Sequence, residues 1–240
     1  MKILAIDTSS IVATCAIMDD EKLIGEYILN HKRTHSQKIM PIIEEILSSC
    51  DLKPEDIDVY AASVGPGSFT GLRIGVATVK GLAHAMNKSV VGISTIEALA
   101  FNIPYSEGII VPMMDARRDR VYTGIYKWED GDLCVIEEPD AIEVEELLDK
   151  LLKRNEKVIV NGDGAIVYKD KIIEGLGSKV LFAPKSVNMA RAASVAELAM
   201  AKAKIGDVTS FMDLVPDYLR KSQAQREYDK KMKLCGEKDE

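Results

Sequence analysis

The sequence predicts an α/β protein made of two lobes of similar design. Each half of the chain opens with three short apolar segments separated by polar turns, as in an antiparallel meander, and these begin at residues 2–7 and 108–115. After each meander, the spacing of apolar residues changes to that of helices alternating with buried strands. The order βββαβαβα therefore occurs twice, with Asp7 and Asp115 at equivalent strand ends. Such units form mixed sheets whose faces are covered by helices.

In the first half, strands are predicted at 2–7, 12–18, 23–29, 59–64 and 89–93. Helices are predicted at 35–50, at 70–86 and after Ser94, which can cap a helix because Glu97 follows three residues on. In the second half, strands are predicted at 108–115, 120–127, 133–137, 157–161 and 179–182, and helices at 144–154, 165–174 and 189–204.

The boundary between the lobes is placed in the linker 102–107, which is marked by Pro104. We expect a first lobe at 1–104, a second lobe at 105–222 and a charged tail at 223–240. The last long helix of the second lobe can pack back on the first lobe. Ligands of such folds bind beyond the carboxyl ends of the strands, between the lobes.

Composition indicates a globular protein of the cytoplasm. Hydrophobic residues make up 47% of the chain, charged residues 29%, and the net charge is −7. No stretch approaches the roughly 18 apolar residues of a membrane helix, and four scattered cysteines predict reduced thiols. An acidic surface repels phosphate backbones, so nucleic acid is expected to bind only with the help of a partner. The basic residues after Arg220 are interpreted as a solvated tail.

This duplicated architecture is that of the actin/sugar-kinase-like ATPase (ASKHA) superfamily. Its members hold phosphates with a D-x-G-T/S turn after the first strand of each lobe, where glycine permits close approach of the backbone. The corresponding turns here read Asp7-Thr8-Ser9-Ser10 and Asp115-Ala116-Arg117-Arg118, without glycine. Autonomous ATP hydrolysis is therefore not expected. Asp7 is interpreted as a strand-end cap, and the two arginines as partners of either a phosphate or a nearby carboxylate.

A glycine-rich loop at 64–75 joins a strand to a helix N-terminus and reads VGPGSFTGLRIG. It is not a Walker loop, because no Gly-Lys-Ser/Thr follows, and it is not G-x-G-x-x-G, because Gly71 arrives one residue late. It is interpreted as a tight connection, with Thr70 capping the helix. His31 and His35 form an H-x-x-x-H pair, but Lys32 stands where a metalloprotease has glutamate, so no metal site is expected.

Several motifs together resemble the TsaB (YeaZ) family, whose members were once labelled M22 glycoproteases. They span residues 3–220 and read ILAIDTS, GPGSFTGLRIGVA, GISTIEALA, MDARRDRVY, VNGDG and PDYLR. The resemblance implies a scaffold subunit that pairs with its catalytic paralogue TsaD and with the ATPase TsaE. Together these proteins transfer a threonylcarbamoyl group to the adenosine beside the anticodon of tRNAs that read ANN codons. It also implies a homodimer when the partner is absent, and tRNA binding only through the complex.

The same resemblance implies that this chain is not an enzyme by itself. TsaD carries an H-x-x-x-H metal pair on the helix where this sequence has Thr95 and Leu99, and leucine cannot bind a metal. No cofactor is required, although weak nucleotide binding is compatible with a vestigial site at Asp7, Thr8, Ser9, Asp115, Gly162 and Gly164. The alternatives are an ATP-binding phosphotransferase of the sugar-kinase type and a metallopeptidase.

The partner surface is predicted on the helices 35–50 and 70–86. The second contains three glycines, each of which costs about 1 kcal/mol relative to alanine, so close approach of another element is expected. The protein's own sheet must cover one face of each helix, and the sequence does not decide which face that is. The predicted interface residues are Ile39, Ile42, Ile43, Ile46, Gly71, Gly75, Thr78, Val79, Leu82 and Met86.

Overall fold

The structure is a computed structural model that describes residues 1–30 and 35–220, with the side chains of the first helix described from residue 37 onward. His31, the side chain of His35 and the tail 223–240 lie outside the described residues, so the predictions made for them are not addressed by the structure.

The first lobe is a five-stranded mixed sheet with the order β3-β2-β1-β4-β5. Its strands are β1 (Ile3–Asp7), β2 (Val12–Met18), β3 (Leu23–Asn30), β4 (Val59–Gly65) and β5 (Ser89–Ser94). Strands β1 to β3 are antiparallel, whereas β4 lies parallel to both β1 and β5. The helices are α1 (His35–Ser49), α2 (Phe69–Met86) and α3 (Thr95–Phe101).

The second lobe repeats this arrangement with the order β10-β9-β6-β7-β8. Its strands are β6 (Ile109–Asp115), β7 (Arg120–Glu129), β8 (Asp132–Glu143), β9 (Val158–Asn161) and β10 (Val180–Phe182). Its helices are α4 (Val144–Leu152), α5 (Asp163–Val167), α6 (Lys169–Leu176) and α7 (Ala192–Lys204). Each lobe places its first strand in the centre of the sheet, and the duplicated fold predicted from the sequence is confirmed.

Some predicted boundaries are wrong, for local reasons. The helix predicted at 165–174 is divided at Tyr168, whose φ of −103° and ψ of 19° leave the helical range. Helix α7 begins at Ala192 rather than at 189, because Arg191 is extended. Ser68, not Thr70, caps α2, since its hydroxyl accepts a hydrogen bond from the Gly71 N–H. Strand β8 continues to Glu143, well past the predicted end at 137.

Helices cover both faces of the first sheet. On one face, α1 and α2 pack over a core of aliphatic residues that includes Ile39, Ile43 and Val79. On the other face, Val195, Ala196 and Ala199 of α7 pack against β1, β4 and β5, so this last helix belongs to the core of the first lobe. Helix α3 packs against β6 and β7 and joins the lobes through a shared apolar cluster.

The N-terminus of α7 is held by side chains from the first sheet. The Glu26 carboxylate accepts hydrogen bonds from the Arg191 guanidinium and, at 3.1 Å, from the Ala193 N–H. The hydroxyl of Thr14 accepts another from the Ala192 N–H at 3.2 Å. The Glu26 side chain is only 8% exposed, so this carboxylate pairs with Arg191 largely out of water. These bonds satisfy helix N–H groups that would otherwise lack an acceptor.

We expect Glu26→Ala to lower the free energy of unfolding by about 3 kcal/mol, because it leaves Arg191 and the helix terminus without their acceptor. Urea unfolding followed by circular dichroism measures the change. Glu129→Ala is the matched control, since its ion pair with Lys127 is exposed and should contribute at most about 1 kcal/mol. Equal effects of the two substitutions would show that Glu26 does not hold α7.

After α7 the chain returns across the first lobe as an irregular strap, residues 205–220. Thr209 forms an antiparallel bridge with Val90 at the free edge of β5, and Leu214 enters the core below α2. The Lys80 ammonium donates hydrogen bonds to the carbonyl groups of Met212 and Leu214. The strap therefore ties the end of the described chain to α2. Within the described ranges, no helix is both long and apolar enough to cross a membrane.

Candidate functional site: two strand-end turns and an exposed helix face

The first turn of the fold is a closed hydrogen-bond network. The Asp7 carboxylate is buried and accepts hydrogen bonds from the Ser9 N–H at 2.8 Å, from the Ser9 hydroxyl at 2.7 Å and from the Ser63 hydroxyl. Both carboxylate oxygens are therefore engaged within the protein. Asp7 thus closes the turn that follows β1.

The glycine-rich loop packs directly on this turn. The Ser68 N–H donates to the Ser9 carbonyl at 2.7 Å, and the Thr8 hydroxyl donates to the Gly71 carbonyl at 2.7 Å. A Cβ at Gly71 would lie 1.9 Å from the Thr8 carbonyl oxygen, and a Cβ at Gly75 would lie 2.5 Å from the Thr8 hydroxyl. The glycines thus allow α2 to approach the first turn, and the turn fills the space beside them.

The second turn has an unusual backbone. Arg117, Arg118 and Asp119 have φ values of 64°, 58° and 55°, which are left-handed. A side chain in this conformation costs about 1–2 kcal/mol per residue, which is why glycine is the ordinary choice. Arg117 occupies the third position of the turn, where the superfamily pattern has glycine. At this third position the backbone is left-handed although the residue is not glycine. Compared with the superfamily pattern, the turn also carries the guanidinium groups of Arg117 and Arg118.

Hydrogen bonds hold the second turn firmly. The Asp115 carboxylate accepts from the Arg117 N–H at 2.8 Å and from the Tyr168 hydroxyl at 3.0 Å. Lys171 pairs with Asp119 at 2.9 Å, and the Arg220 guanidinium donates to the Ala116 carbonyl. Arg117 also lies 3.4 Å from the second Asp115 oxygen, but its side chain is 87% exposed, so this ion pair contributes little.

Gly162 and Gly164 also lie beside the second turn. Gly162 has a φ of 94°, and a Cβ there would meet the Met113 carbonyl oxygen at 2.2 Å, so β6 packs against it. Between these glycines, the Asp163 carboxylate accepts a hydrogen bond from the Asp115 N–H at 3.1 Å. Burial raises the pKa of Asp163, and the nearby Asp115 carboxylate adds to the effect. The predicted nucleotide residues thus form two networks, one around Asp7 and one around Asp115.

Helix α3 presents no metal ligands at the positions implied by the family resemblance. Thr95 and Leu99 are both buried, and Leu99 belongs to the apolar cluster between the lobes. The Thr95 hydroxyl has no hydrogen-bond partner among the described residues, while the Asn161 side chain donates to the Leu99 carbonyl at 2.6 Å. The described part of the chain contains no group of three histidine, cysteine or acidic side chains placed to hold a metal.

The structure separates the predicted interface residues into inner and outer sets. The inner residues are buried in the core of this chain itself, and they are Ile39, Ile42, Ile43, Ile46, Gly71, Gly75 and Val79. Thr78, Leu82 and Met86 are half-buried. The outer surface of α2 consists instead of Thr70, Arg73, Ala77, Gly81, His84 and Ala85. A Cβ at Gly81 would meet nothing within 4 Å, so this glycine faces open space.

The outer surface of α1 adjoins that of α2 and differs from it in character. It exposes Met40 and Pro41 together with Glu44 and Glu45. The isoleucines predicted to meet a partner are buried against this chain's own sheet, so the exposed surface of α1 is the opposite stripe. A partner that contacts both helices would meet small residues flanked by Arg73 and His84 on α2, and two carboxylates beside Met40 and Pro41 on α1.

The last motif of the sequence packs on the glycine-rich loop. The Asp217 N–H donates to the Val64 carbonyl at 2.7 Å, and a Cβ at Gly65 would meet the Asp217 carbonyl oxygen. The Tyr218 ring stacks on Phe69 with centroids 4.6 Å apart, and Arg73 donates to its hydroxyl at 2.9 Å. Sequence reasoning missed this contact, because nothing in the spacing of residues 216–220 indicates where they fold back.

Duplicated sheets with phosphate turns that lack glycine define an actin/sugar-kinase-like protein that departs from the superfamily's nucleotide-binding pattern. A family model described as TsaD, tRNA N6-adenosine threonylcarbamoyltransferase, matches residues 22–228. The tRNA threonylcarbamoyladenosine biosynthesis protein TsaB of Bacillus subtilis is 33% identical over 95% of this chain and 98% of its own. The Escherichia coli TsaB is 33% identical over 59% of this chain and 62% of its own. The chain therefore belongs to the TsaB (YeaZ) family.

Solved structures agree on the fold. The structure of YeaZ from Pseudomonas aeruginosa has a TM-score of 0.76 and 22% identity, with 91% of this chain and 99% of that chain covered. Component A of the (R)-2-hydroxyglutaryl-CoA dehydratase of Acidaminococcus fermentans has a TM-score of 0.50 and 14% identity, with 85% of this chain and 99% of that chain covered. The fold extends over nearly the whole chain.

Proposed function

We propose that this chain is a non-catalytic subunit of the machinery that makes threonylcarbamoyladenosine in tRNA. It pairs with a catalytic TsaD-type protein, and TsaE acts on the pair. The observation that carries the proposal is the outer face of α2, which combines a fully open glycine with small neighbours on a rigid helix. The names of the relatives supply the pathway.

Two features support the absence of independent catalysis. Thr95 and Leu99 are buried, and Leu99 packs in the apolar cluster between the lobes, at the positions where the family resemblance places the metal-binding histidines of TsaD. The first phosphate turn is filled by the glycine-rich loop, and its aspartate is bonded to Ser9 and Ser63. A phosphotransferase would need an accessible first turn, so the alternative of a sugar-kinase-type activity has no support from this geometry.

The shape of α2 explains how pairing would work. Ala77, Gly81 and Ala85 follow helical spacing along the outer face, so a partner helix can approach the backbone closely. Met212 of the strap lies beside this face, since Lys80 binds its carbonyl, and its exposed side chain enlarges the apolar area. In the absence of TsaD, a second copy of this chain occupies the same face and gives a homodimer.

The protein acts in the cytoplasm, needs no cofactor, binds nucleotide at most weakly and reaches tRNA through the complex.

Reconstitution tests the proposed function. The isolated chain, given tRNA, threonylcarbamoyl-adenylate and ATP, is expected to make no threonylcarbamoyladenosine. Addition of the TsaD and TsaE proteins of the same organism should give modified nucleoside, and omission of this chain should remove most of it. Mass spectrometry of digested tRNA measures the product. Product formed by this chain alone, or a yield that does not depend on it, would refute the proposal.

A further inference from the structure

The second phosphate turn carries a feature that the proposed function does not use. Arg117 and Arg118 project from a backbone in which three consecutive non-glycine residues are left-handed. Internal bonds from Asp115, Tyr168 and Arg220 hold that backbone in place. The two guanidinium groups are therefore presented on a rigid support, and little conformational freedom of the backbone is lost when they bind.

Several charged side chains of this turn have ionic or hydrogen-bonding partners. Asp119 is paired with Lys171, Arg120 with Glu143, and Asp115 with Arg117 and Tyr168. Arg118 is exposed and has no hydrogen bond or ion pair within the described part of the chain. An unpaired arginine on a rigid turn stands out in a chain with a net charge of −7. Guanidinium groups bind phosphate with bidentate geometry.

The surroundings favour a phosphate backbone over a free nucleotide. The space between the loop residues Pro66 to Phe69 and the strap residues Asp217 to Arg220 is too narrow for a water molecule. A nucleobase would therefore find no pocket beside the turn on that side. The arginines are on the outside, where the backbone of a large polyanion can pass them.

We propose that the turn at residues 115–119 is a contact site for the phosphate backbone of tRNA, with Arg118 as the primary contact and Arg117 beside it. This inference rests on the proposed function for the identity of the nucleic acid. Arg118 binds one backbone phosphate. Arg117 gives up its exposed contact with Asp115 and binds a second backbone phosphate. The contact is electrostatic, reads no base sequence and helps to position tRNA once the partner is in place.

The test measures tRNA affinity at several salt concentrations for the complex of this chain with TsaD. The probe is an unmodified transcript of a tRNA that reads an ANN codon. Arg118→Gly removes the charge and suits the φ of 58°, so the variant should remain folded, which thermal melting confirms. We expect affinity at 0.1 M salt to fall about five- to tenfold, and the slope of log affinity against log salt to fall by about 1.

Three further variants sharpen the test. Arg118→Lys keeps the charge and should retain most of the slope. Lys150→Ala removes a positive charge from α4, elsewhere on the second lobe, and should change neither the tRNA affinity nor its salt dependence. Arg117→Gly combined with Arg118→Gly should reduce the slope by up to about 2. An unchanged slope for the double variant would overturn the proposal, as would loss of ATP affinity in Arg118→Gly, which would make the turn a nucleotide site.

The experiments distinguish failure of the proposed function from failure of the proposed phosphate contact. If the wild-type chain does not bind TsaD, the proposed function fails, and the same salt titration is made with the isolated chain. A smaller slope for Arg118→Gly there would still support the phosphate contact, and an unchanged slope would overturn it. If the complex forms and modifies tRNA while the slope stays the same in every variant, only the phosphate contact is wrong.

Discussion

Alanine at position 71 is expected to destabilise the protein by about 2–4 kcal/mol, although alanine is the better helix former. The new Cβ would lie 1.9 Å from the Thr8 carbonyl oxygen, and that oxygen belongs to backbone that cannot move aside cheaply. The Thr8 hydroxyl and the Gly71 carbonyl are also hydrogen-bonded at 2.7 Å, so a shift of α2 would stretch this bond. The substitution therefore separates the helix from the first turn of the lobe.

Gly81→Ala is the matched control for this prediction. Gly81 lies in the same helix, and a Cβ there meets nothing within 4 Å, so helix propensity alone should act and raise stability by up to about 1 kcal/mol. Urea unfolding of both variants measures the difference. If Gly71→Ala is as stable as Gly81→Ala, the close packing of α2 on the first turn is wrong.

Much of the fold could be predicted from local patterns. The alternation of meander and helix gave the duplicated order, because both halves bury their strands in the same way. The Ser94 cap was also correct, since its hydroxyl accepts from the Glu97 N–H at 3.4 Å. The isoleucines of α1 were recognised as one face of the helix but were assigned to the partner surface, whereas in the structure they lie in the core.

The orientation of α2 could not be predicted, because its small residues occupy every side of the helix. Gly75 and Gly81 look alike in the sequence, yet one faces Thr8 and the other faces open space. The difference depends on contacts between residues far apart in the chain. The same holds for Glu26, which caps a helix that begins at Ala192, and for Tyr218, which stacks on Phe69.

The repeat predicted where β1 and β6 end, but not the conformation of the turns that follow them. Asp7 and Asp115 lie at the ends of equivalent strands, as expected from the repeat. The left-handed backbone of Arg117 could not be predicted, since arginine rarely adopts a positive φ. The two turns also differ from each other, because only the first is covered by a glycine-rich loop.

The pairing of this chain with TsaD through the outer face of α2 is the central claim, and Gly81→Leu tests it most directly. Leucine at this position is tolerated in the isolated chain because the site is open, but it would separate α2 from a closely packed partner helix. We expect affinity for TsaD to fall at least about tenfold, which corresponds to a loss of about 1.4 kcal/mol of binding free energy.

Size-exclusion chromatography and calorimetric titration with TsaD measure the pairing, and circular dichroism checks that the variant is folded. Ala201→Leu is the control, because it places the same side chain at an exposed position of α7, on the other face of the first sheet. The predicted result is a folded Gly81→Leu protein that pairs weakly, beside an Ala201→Leu protein that pairs like the wild type. A folded Gly81→Leu protein with wild-type affinity for TsaD would contradict the claim.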